Sequence, residues 1–190
     1  MNLVHERILR DGKHLGNGVL KVDSFMNHQV DPALMRFVGE ELARRFASAK
    51  PTRILTAETG GIAPALAAGM SLNVPVVFAR KNQPITMAPE PYREKSTSPT
   101  HKKDVELIVS TEYLSSSDRV LIVDDFLASA RTIVALEKLI AQSGATLVGV
   151  GSVIEKAFMN GRDLLKHLTV PIESLAIIDR FEGNKIIVRE

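Results

Sequence analysis

Two adjacent carboxylates end an apolar run in the segment VLIVDDFLASART, which covers residues 120–132. Asp124 and Asp125, called the acidic pair below, are followed by a small-residue turn, Ala128–Thr132. Paired carboxylates accept hydrogen bonds from neighbouring hydroxyl groups, and a small-residue turn before a helix presents backbone N–H groups to an anion. The pattern is therefore suited to a phosphorylated sugar, although aspartates that only cap a helix in water would give the same sequence.

A second turn lies between a predicted strand and a predicted helix, and consists of Glu58, Thr59, Gly60 and Gly61. This glycine turn allows a ligand to approach the backbone closely, and the helix that follows directs its positive end toward an anion. A glycine pair between a strand and a helix is often only structural, so both interpretations stay open at this point.

Short apolar runs alternate with helical periodicity along most of the chain. Predicted strands cover Arg53–Glu58, Pro75–Ala79, Val120–Val123 and Thr146–Ile154. Predicted helices cover Asp31–Ala47, Ile62–Leu72 and Arg131–Gln142, and the first has Asp31 as N-cap and Pro32 at the first helical position. Because parallel neighbours need crossover connections, we expect an α/β fold with a mostly parallel, twisted sheet flanked by helices.

The segment between the second and third strands lacks hydrophobic periodicity. Residues 82–104 hold four prolines and two adjacent lysines, Lys102 and Lys103. A loop this long in a compact domain often closes over a ligand. We predict a flexible lid at about 82–104 within a single domain that covers residues 1–190.

Composition excludes several classes of protein. The chain has 190 residues and no Cys, which rules out a disulfide framework, a thiolate metal site and a cysteine nucleophile. Its five His lack metal-binding spacing, so we predict no metal site built by the protein alone. A net charge of +2 and an aromatic content of 5% argue against nucleic-acid binding. The charged N-terminus is unlike a signal peptide and no apolar stretch is long enough to span a membrane, so we predict a cytoplasmic protein without a membrane partner.

The segment VLIVDDFLASART resembles the phosphoribosyl-binding signature of the type I phosphoribosyltransferases, with four apolar residues, two acidic ones and a small turn. The resemblance implies that family's fold, with a lid loop and a small hood for the base. It also implies that 5-phosphoribosyl 1-diphosphate is bound by Ala128, Ser129, Ala130, Arg131 and Thr132. Ala130 and Arg131 stand where many members have glycine, and side chains there limit how closely the backbone approaches a phosphate. The Arg131 guanidinium can return some of that attraction.

Further segments resemble the bacterial xanthine phosphoribosyltransferases over essentially the whole chain, in the same order. They are LKVDSFMNHQVDP (20–32), VPVVFARK (74–81), VIEKAF (153–158) and GRD (161–163). This resemblance implies a homodimeric, cytoplasmic enzyme of purine salvage that converts xanthine and 5-phosphoribosyl 1-diphosphate into xanthosine 5'-monophosphate and diphosphate. Asp124 and Asp125 would be the catalytic residues that hold the ribose. Mg²⁺ would arrive on the diphosphate substrate, because it prefers phosphate oxygens and water to an all-protein cage.

The family's purine contacts fall on Leu20, Asn27 and Lys156 of this chain. A lysine donor suits the additional 2-oxo group of xanthine, and an amide that both donates and accepts suits the mixed edge of a purine. Without the resemblance, Lys156 would more readily form a surface ion pair with Glu155, Asn27 would be a turn residue, and Leu20 would be ordinary core.

In the reaction that the resemblance implies, the glycine turn would bind the departing diphosphate. Arg80 and Lys81, at the end of the neighbouring predicted strand, are expected to add positive charge there, as are Lys102 and Lys103 of the lid. For the lid lysines, a solvated basic surface is an equally simple interpretation.

Two other functions fit the sequence. One is transfer to adenine, guanine or hypoxanthine instead of xanthine, which would change the base pocket and leave the sugar site intact. The other is a regulator on the same fold that binds 5-phosphoribosyl 1-diphosphate as an effector and contacts nucleic acid. Such a regulator would need an extra domain or a concentrated basic face, and the near-neutral charge does not indicate one.

Overall fold

The computed structural model describes residues 2–97 and 104–189. The helices are α1 (Leu3–Asp11), α2 (Pro32–Phe46), α3 (Ile62–Leu72), α4 (Arg131–Ser143) and the short α5 (Gly161–Leu164). The strands are β1 (Lys13–His14), β2 (Leu20–Lys21), β3 (Arg53–Ala57), β4 (Val76–Ala79), β5 (Tyr92–Thr97), β6 (Asp104–Val109), β7 (Arg119–Leu127), β8 (Thr146–Lys156), β9 (Ile172–Glu182) and β10 (Lys185–Val188). A π-helical turn spans Asp23–Asn27.

One sheet of six strands organises the described residues, in the order β10-β9-β8-β7-β3-β4. Strands β9, β8, β7, β3 and β4 run parallel to their neighbours, and β10 is antiparallel to β9. Two antiparallel pairs stand apart from it, β1 with β2 and β5 with β6. The prediction of an α/β fold with a mostly parallel sheet is therefore confirmed.

Helices cover both faces of the sheet, each by burying an apolar stripe. On one face, α2 contributes Leu34, Val38 and Leu42 to a core that also holds α3. On the other face, α4 contributes Leu136 and Leu139 to a core shared with β6 and β7. Full burial of one such side chain stabilises the fold by about 1.5–3 kcal/mol.

The neighbouring strands β3 and β7 lead into helices on opposite faces, because α3 belongs to the first core and α4 to the second. The chain therefore diverges at the carboxyl ends of these two strands and leaves a crevice between them. In open α/β sheets this is the position where ligands bind.

The predicted N-cap of α2 is confirmed. Its Asp31 N-cap accepts hydrogen bonds from the backbone N–H groups of Ala33 at 2.9 Å and Leu34 at 3.0 Å. In contrast, the predicted lid at 82–104 is not a loop throughout, because Tyr92–Thr97 forms β5 and pairs with β6. Residues 98–103 of that segment lie outside the described part of the chain. Backbone pairing with β6, rather than an apolar pattern in the sequence, makes this segment a strand. No helix among the described residues has the length and apolar character needed to cross a membrane.

Candidate active site

A cavity of about 400 Å³ opens at the carboxyl ends of β3 and β7. Three of the predicted groups line it together: the acidic pair, the whole small-residue turn, and Glu58, Gly60 and Gly61 of the glycine turn. Lys81, which follows β4, also lines it. The structure thus brings residues from three separate segments of the chain to one site, as the strand order requires.

The acidic pair lies at the floor of this cavity. Asp124 is only 6% exposed, and its Oδ1 accepts a hydrogen bond from the backbone N–H of Asp125 at 3.0 Å. Oδ1 of Asp125 accepts one from the backbone N–H of Phe126 at 2.9 Å. Burial, together with the neighbouring Asp125 charge, raises the pKa of Asp124 well above its ordinary value, and burial also raises the pKa of Asp125. Two carboxylates held this close favour partners that donate hydrogen bonds or carry positive charge.

The glycine turn packs directly against the acidic pair. A Cβ atom at residue 60 would overlap the Asp125 carboxylate, with Cγ of Asp125 only 2.7 Å away. A Cβ atom at residue 61 would collide with the Thr56 hydroxyl and lie 2.8 Å from Oδ1 of Asp124. Both glycines are therefore required by close approach of the carboxylates, which explains the sequence pair in physical terms. The Glu58–Thr59 peptide bond is cis.

The small-residue turn leads into the N-terminus of α4. Ala130 is the N-cap residue, it adopts a left-handed conformation with φ 60°, and it makes no side-chain capping hydrogen bond. A helix start without a side-chain cap offers its first N–H groups to an anion, and the helix dipole favours negative charge there. The left-handed φ of Ala130 is the conformation that glycine adopts at no steric cost. Arg131 is exposed and lines the cavity.

The two basic residues predicted for the diphosphate take different positions. Lys81 borders the cavity, and its backbone N–H donates to Oε1 of Glu58 at 2.8 Å. Arg80 instead lines a second cavity of about 440 Å³, where its guanidinium carbon lies 5.7 Å from the centroid of the Phe78 ring. Within this chain, Arg80 is therefore not brought to the acidic pair. Lys102 and Lys103 lie outside the described residues.

None of the three predicted purine contacts is among the residues that line the cavity. Leu20 is buried in β2, and Asn27 is exposed at the end of the π-helical turn. Nζ of Lys156 donates to the carbonyl oxygen of Gly18 at 2.9 Å and lies 5.1 Å from the centroid of the Phe126 ring. Because Phe126 lines the cavity, it connects Lys156 to the cavity.

Lys156 is half-buried, and burial lowers its pKa while the nearby Asp125 charge opposes that shift. The alternative of a surface ion pair with Glu155 is wrong. Glu155 is buried and binds Arg162 instead, whereas Lys156 points to the opposite side of β8, toward the hairpin that contains Gly18.

Two contributors to the cavity were missed by sequence reasoning. Phe126 directly follows the acidic pair, and its position was the available signal. Ser96 of β5 is 8% exposed and lines the cavity together with Val105 and Leu107 of β6. The paired strands β5 and β6 therefore form part of the cavity wall.

Comparison with known proteins fits this geometry. Residues 28–183 match the phosphoribosyl transferase domain family. The xanthine phosphoribosyltransferase of Moorella thermoacetica is 50% identical over 98% of this chain and 95% of its own length. That of Deinococcus deserti is 50% identical over 99% of this chain and 98% of its own length.

A solved structure shows the same fold at lower identity. The adenine phosphoribosyltransferase of Trypanosoma brucei, in complex with AMP, pyrophosphate and ribose-5-phosphate, superposes with a TM-score of 0.77. It is 20% identical, and the match covers 92% of this chain and 79% of that one. The fold is thus the type I phosphoribosyltransferase fold, and the chain belongs to the phosphoribosyltransferase family.

Proposed function

We propose that this protein is a xanthine phosphoribosyltransferase. It transfers the 5-phosphoribosyl group from 5-phosphoribosyl 1-diphosphate to xanthine, and it releases xanthosine 5'-monophosphate and diphosphate in purine salvage. The observation that supports this most strongly is the buried acidic pair, which shares one cavity with the glycine turn and the N-terminus of α4. The choice of xanthine is supported by relatives of that name at 50% identity over nearly the whole chain.

The sugar phosphate is positioned by the small-residue turn. Backbone N–H groups at the start of α4, with the hydroxyls of Ser129 and Thr132, surround the 5-phosphate, and Arg131 adds a full positive charge at the rim. With the phosphate fixed there, the ribose extends toward Asp124 and Asp125, whose carboxylates accept hydrogen bonds from its hydroxyls.

The reaction breaks the bond between the anomeric carbon and a diphosphate oxygen, and forms a bond from that carbon to a purine nitrogen. The diphosphate leaves with the bonding electron pair, so positive charge develops on the ribose ring in the transition state, as in other glycosyl transfers. The acidic pair faces that charge from a buried position, where electrostatic stabilisation is strongest. The β5–β6 hairpin limits access of water.

The residues present fit a Mg²⁺ ion that enters with its substrate. The part of the chain that the structure describes contains no group of three or more acidic, His or Cys side chains able to hold a metal. The oxygen donors of the cavity, Asp124, Asp125 and Glu58, would therefore supplement the diphosphate oxygens and water in holding it. When bound, Mg²⁺ neutralises charge on the leaving diphosphate.

The base is held next to Phe126. Lys156 supplies a donor toward the 2-oxo edge of xanthine, Asn27 supplies a mixed donor and acceptor, and Leu20 supplies an apolar wall. Binding of xanthine in this position requires the Lys156 ammonium to divide its donors between the base and the carbonyl oxygen of Gly18.

A cytoplasmic homodimer remains part of the proposal. Large apolar side chains stand exposed on α3 and β4, among them Met70 at 75%, Leu66 at 53% and Phe78 at 37%. Leu66 and Met70 lie one turn apart on α3, and an exposed apolar patch is typical of a surface that another protein covers. Light scattering after size-exclusion chromatography would give the mass in solution, and cell fractionation would give the location.

Initial rates of diphosphate release test the function. Purified protein with Mg²⁺ and 5-phosphoribosyl 1-diphosphate is offered xanthine, guanine, hypoxanthine or adenine separately. We expect a strong preference for xanthine. Preference for another base would overturn the base assignment and keep the sugar site, and no turnover with any purine would overturn the enzymatic assignment.

A further inference from the structure

We propose that the ion pair between Glu155 and Arg162 is a positioning element, which holds the base-binding Lys156 at a fixed distance from the small-residue turn and thereby sets base selectivity. The inference rests on the proposed function, because it takes xanthine as the base and Lys156 as its contact. Glu155 and Arg162 touch neither substrate in this account, and they act through Lys156 and Ala128.

The carboxylate of Glu155 is fixed from several directions. Glu155 is 3% exposed, and its two oxygens accept from Nε and Nη2 of Arg162, both at 2.8 Å. The hydroxyl of Ser174 on β9 donates to the same carboxylate at 2.6 Å, and it lies 2.9 Å from the hydroxyl of Ser152. Burial alone would raise the pKa of Glu155, but the bonds from Arg162 and Ser174 hold it below its ordinary value, so the group is charged at neutral pH.

Helix α5 connects this pair to the small-residue turn. A Cβ atom at residue 161 would overlap the carbonyl oxygen of Ala128 and would lie 3.0 Å from its carbonyl carbon. The start of α5 therefore packs directly against the small-residue turn. The next residue is Arg162, which reaches back to Glu155 and also donates from Nη1 to the carbonyl oxygen of Ile172 at 3.1 Å. One short helix therefore connects the small-residue turn to Glu155 near the carboxyl end of β8 and to Ile172 at the start of β9.

The fixed position of Glu155 determines the backbone position of Lys156. In β8, Glu155 lies opposite Leu127 of β7, and Lys156 is the next residue along the strand, with its side chain on the other face. When the Glu155 side chain is locked on one face, the Cα position and direction of Lys156 on the other are fixed as well. From that position Nζ of Lys156 reaches the carbonyl oxygen of Gly18 at 2.9 Å and lies 5.1 Å from the centroid of the Phe126 ring.

Geometry, rather than stability, is what such a pair supplies. A buried ion pair contributes little net stability, because desolvation of the charges offsets their attraction. A bidentate guanidinium–carboxylate contact, however, fixes both distance and rotation between the two elements that carry it. An apolar contact at the same position would tolerate sliding, which would displace the Lys156 donor from the 2-oxo edge of the base.

Substitutions at Arg162 test the proposal in the intact enzyme. Arg162→Met removes the fork and the charge, and Arg162→Lys keeps the charge without the fork. We expect Arg162→Met to raise KM for xanthine by about tenfold and to lower the xanthine-to-hypoxanthine ratio of kcat/KM by a similar factor, with kcat changed much less. Arg162→Lys should lie between Arg162→Met and the wild type.

Arg53→Met is the matched control. Arg53 binds the buried carboxylate of Asp118, with Nε 2.9 Å from Oδ1, at the opposite end of the sheet from the cavity. Arg162→Met and Arg53→Met each leave a buried carboxylate without its partner, so both should lower the melting temperature by similar amounts. Arg53→Met should leave the base ratio unchanged. An unchanged base ratio in Arg162→Met, or an equal change in Arg53→Met, would overturn the proposal. Failure of the wild type to use xanthine would overturn the proposed function instead.

Discussion

Gly60 lies directly against the carboxylate of Asp125, so closely that a Cβ atom at residue 60 would come within 2.7 Å of Cγ and overlap an oxygen. The two residues belong to separate strand-to-helix connections, after β3 and after β7. Their contact means that the glycine turn and the acidic pair share one wall of the cavity. A change in either segment must therefore move the other.

Substitution of Gly60 by alanine tests that shared wall. The new methyl group must push the Asp125 carboxylate aside, and displacement of a catalytic group by about 1 Å can lower the rate by about a hundredfold. We expect Gly60→Ala to lower kcat/KM by about that factor with little change in fold. Gly183→Ala is the control, because a Cβ atom there has no neighbour within 4 Å and its φ of +57° costs backbone strain alone. Equal activity of both variants would contradict the shared wall.

Replacement of Asp124 by asparagine should separate stability from activity. Burial and the neighbouring Asp125 raise the pKa of Asp124, so the folded state favours its neutral form. The stability that this form contributes is complete below the ordinary pKa of 3.8 and is lost as pH rises through the folded-state pKa. Asparagine resembles the neutral form at every pH.

Asp124→Asn is therefore expected to melt higher than the wild type at pH 7 to 8. A gain on the order of 1 kcal/mol corresponds to about 2–4 °C for a domain of this size, and it should shrink toward pH 4. Turnover should be abolished at the same time, because the ribose loses a charged partner. Thermal denaturation across this pH range measures the effect, with Asp163→Asn as control, because the side chain of Asp163 is 61% exposed. A melting temperature that falls at pH 8 would contradict the account.

The central part of the fold could be predicted because its signals are local. The Asp31 cap, the apolar runs of β3 and β7 and the periodicity of α4 each specify an element without distant partners. Helix α3 was predicted over the residues it occupies, Ile62–Leu72. These are also the elements that converge on the cavity, so the acidic pair and both turns could be found from sequence.

Other parts depend on contacts that sequence order hides. Strand β5 has no apolar pattern in its sequence, YREKST. It can be recognised only in the fold, where Ser96 lines the cavity and Tyr92 packs against the core. Arg80 and Lys81 are adjacent in sequence and follow the end of β4, yet they line different cavities. The ion-pair partner of Glu155 is not its neighbour Lys156 but Arg162, which lies in α5 after the short turn Ala157–Met159.

Removal of the Lys156 ammonium tests its role as discriminator between purines. A lost hydrogen bond from a charged donor costs about 1.5–3 kcal/mol, which corresponds to a fall of about 10- to 100-fold in kcat/KM for xanthine. Hypoxanthine lacks the 2-oxo group, so Lys156→Met should affect it much less. Lys21→Met is a suitable control, since Lys21 lies in the adjacent β2 strand and pairs at 3.6 Å with Asp23. Equal losses for both bases would refute a selective role.

Substitution of Arg131 tests whether its guanidinium compensates for a weaker contact between the phosphate and the backbone at the start of α4. Its Cβ limits the approach of the phosphate, and its guanidinium at the cavity rim offers a charge-assisted bond in return. We expect Arg131→Gln to raise KM for 5-phosphoribosyl 1-diphosphate by about five- to thirtyfold, the equivalent of about 1–2 kcal/mol. The effect should weaken at high salt, because an exposed charge is screened. Lys138→Gln, on the same helix and paired with Glu94 at 3.1 Å, should leave this KM unchanged. If both variants bind the substrate as the wild type does, the backbone N–H groups at the start of α4 hold the phosphate without help from Arg131.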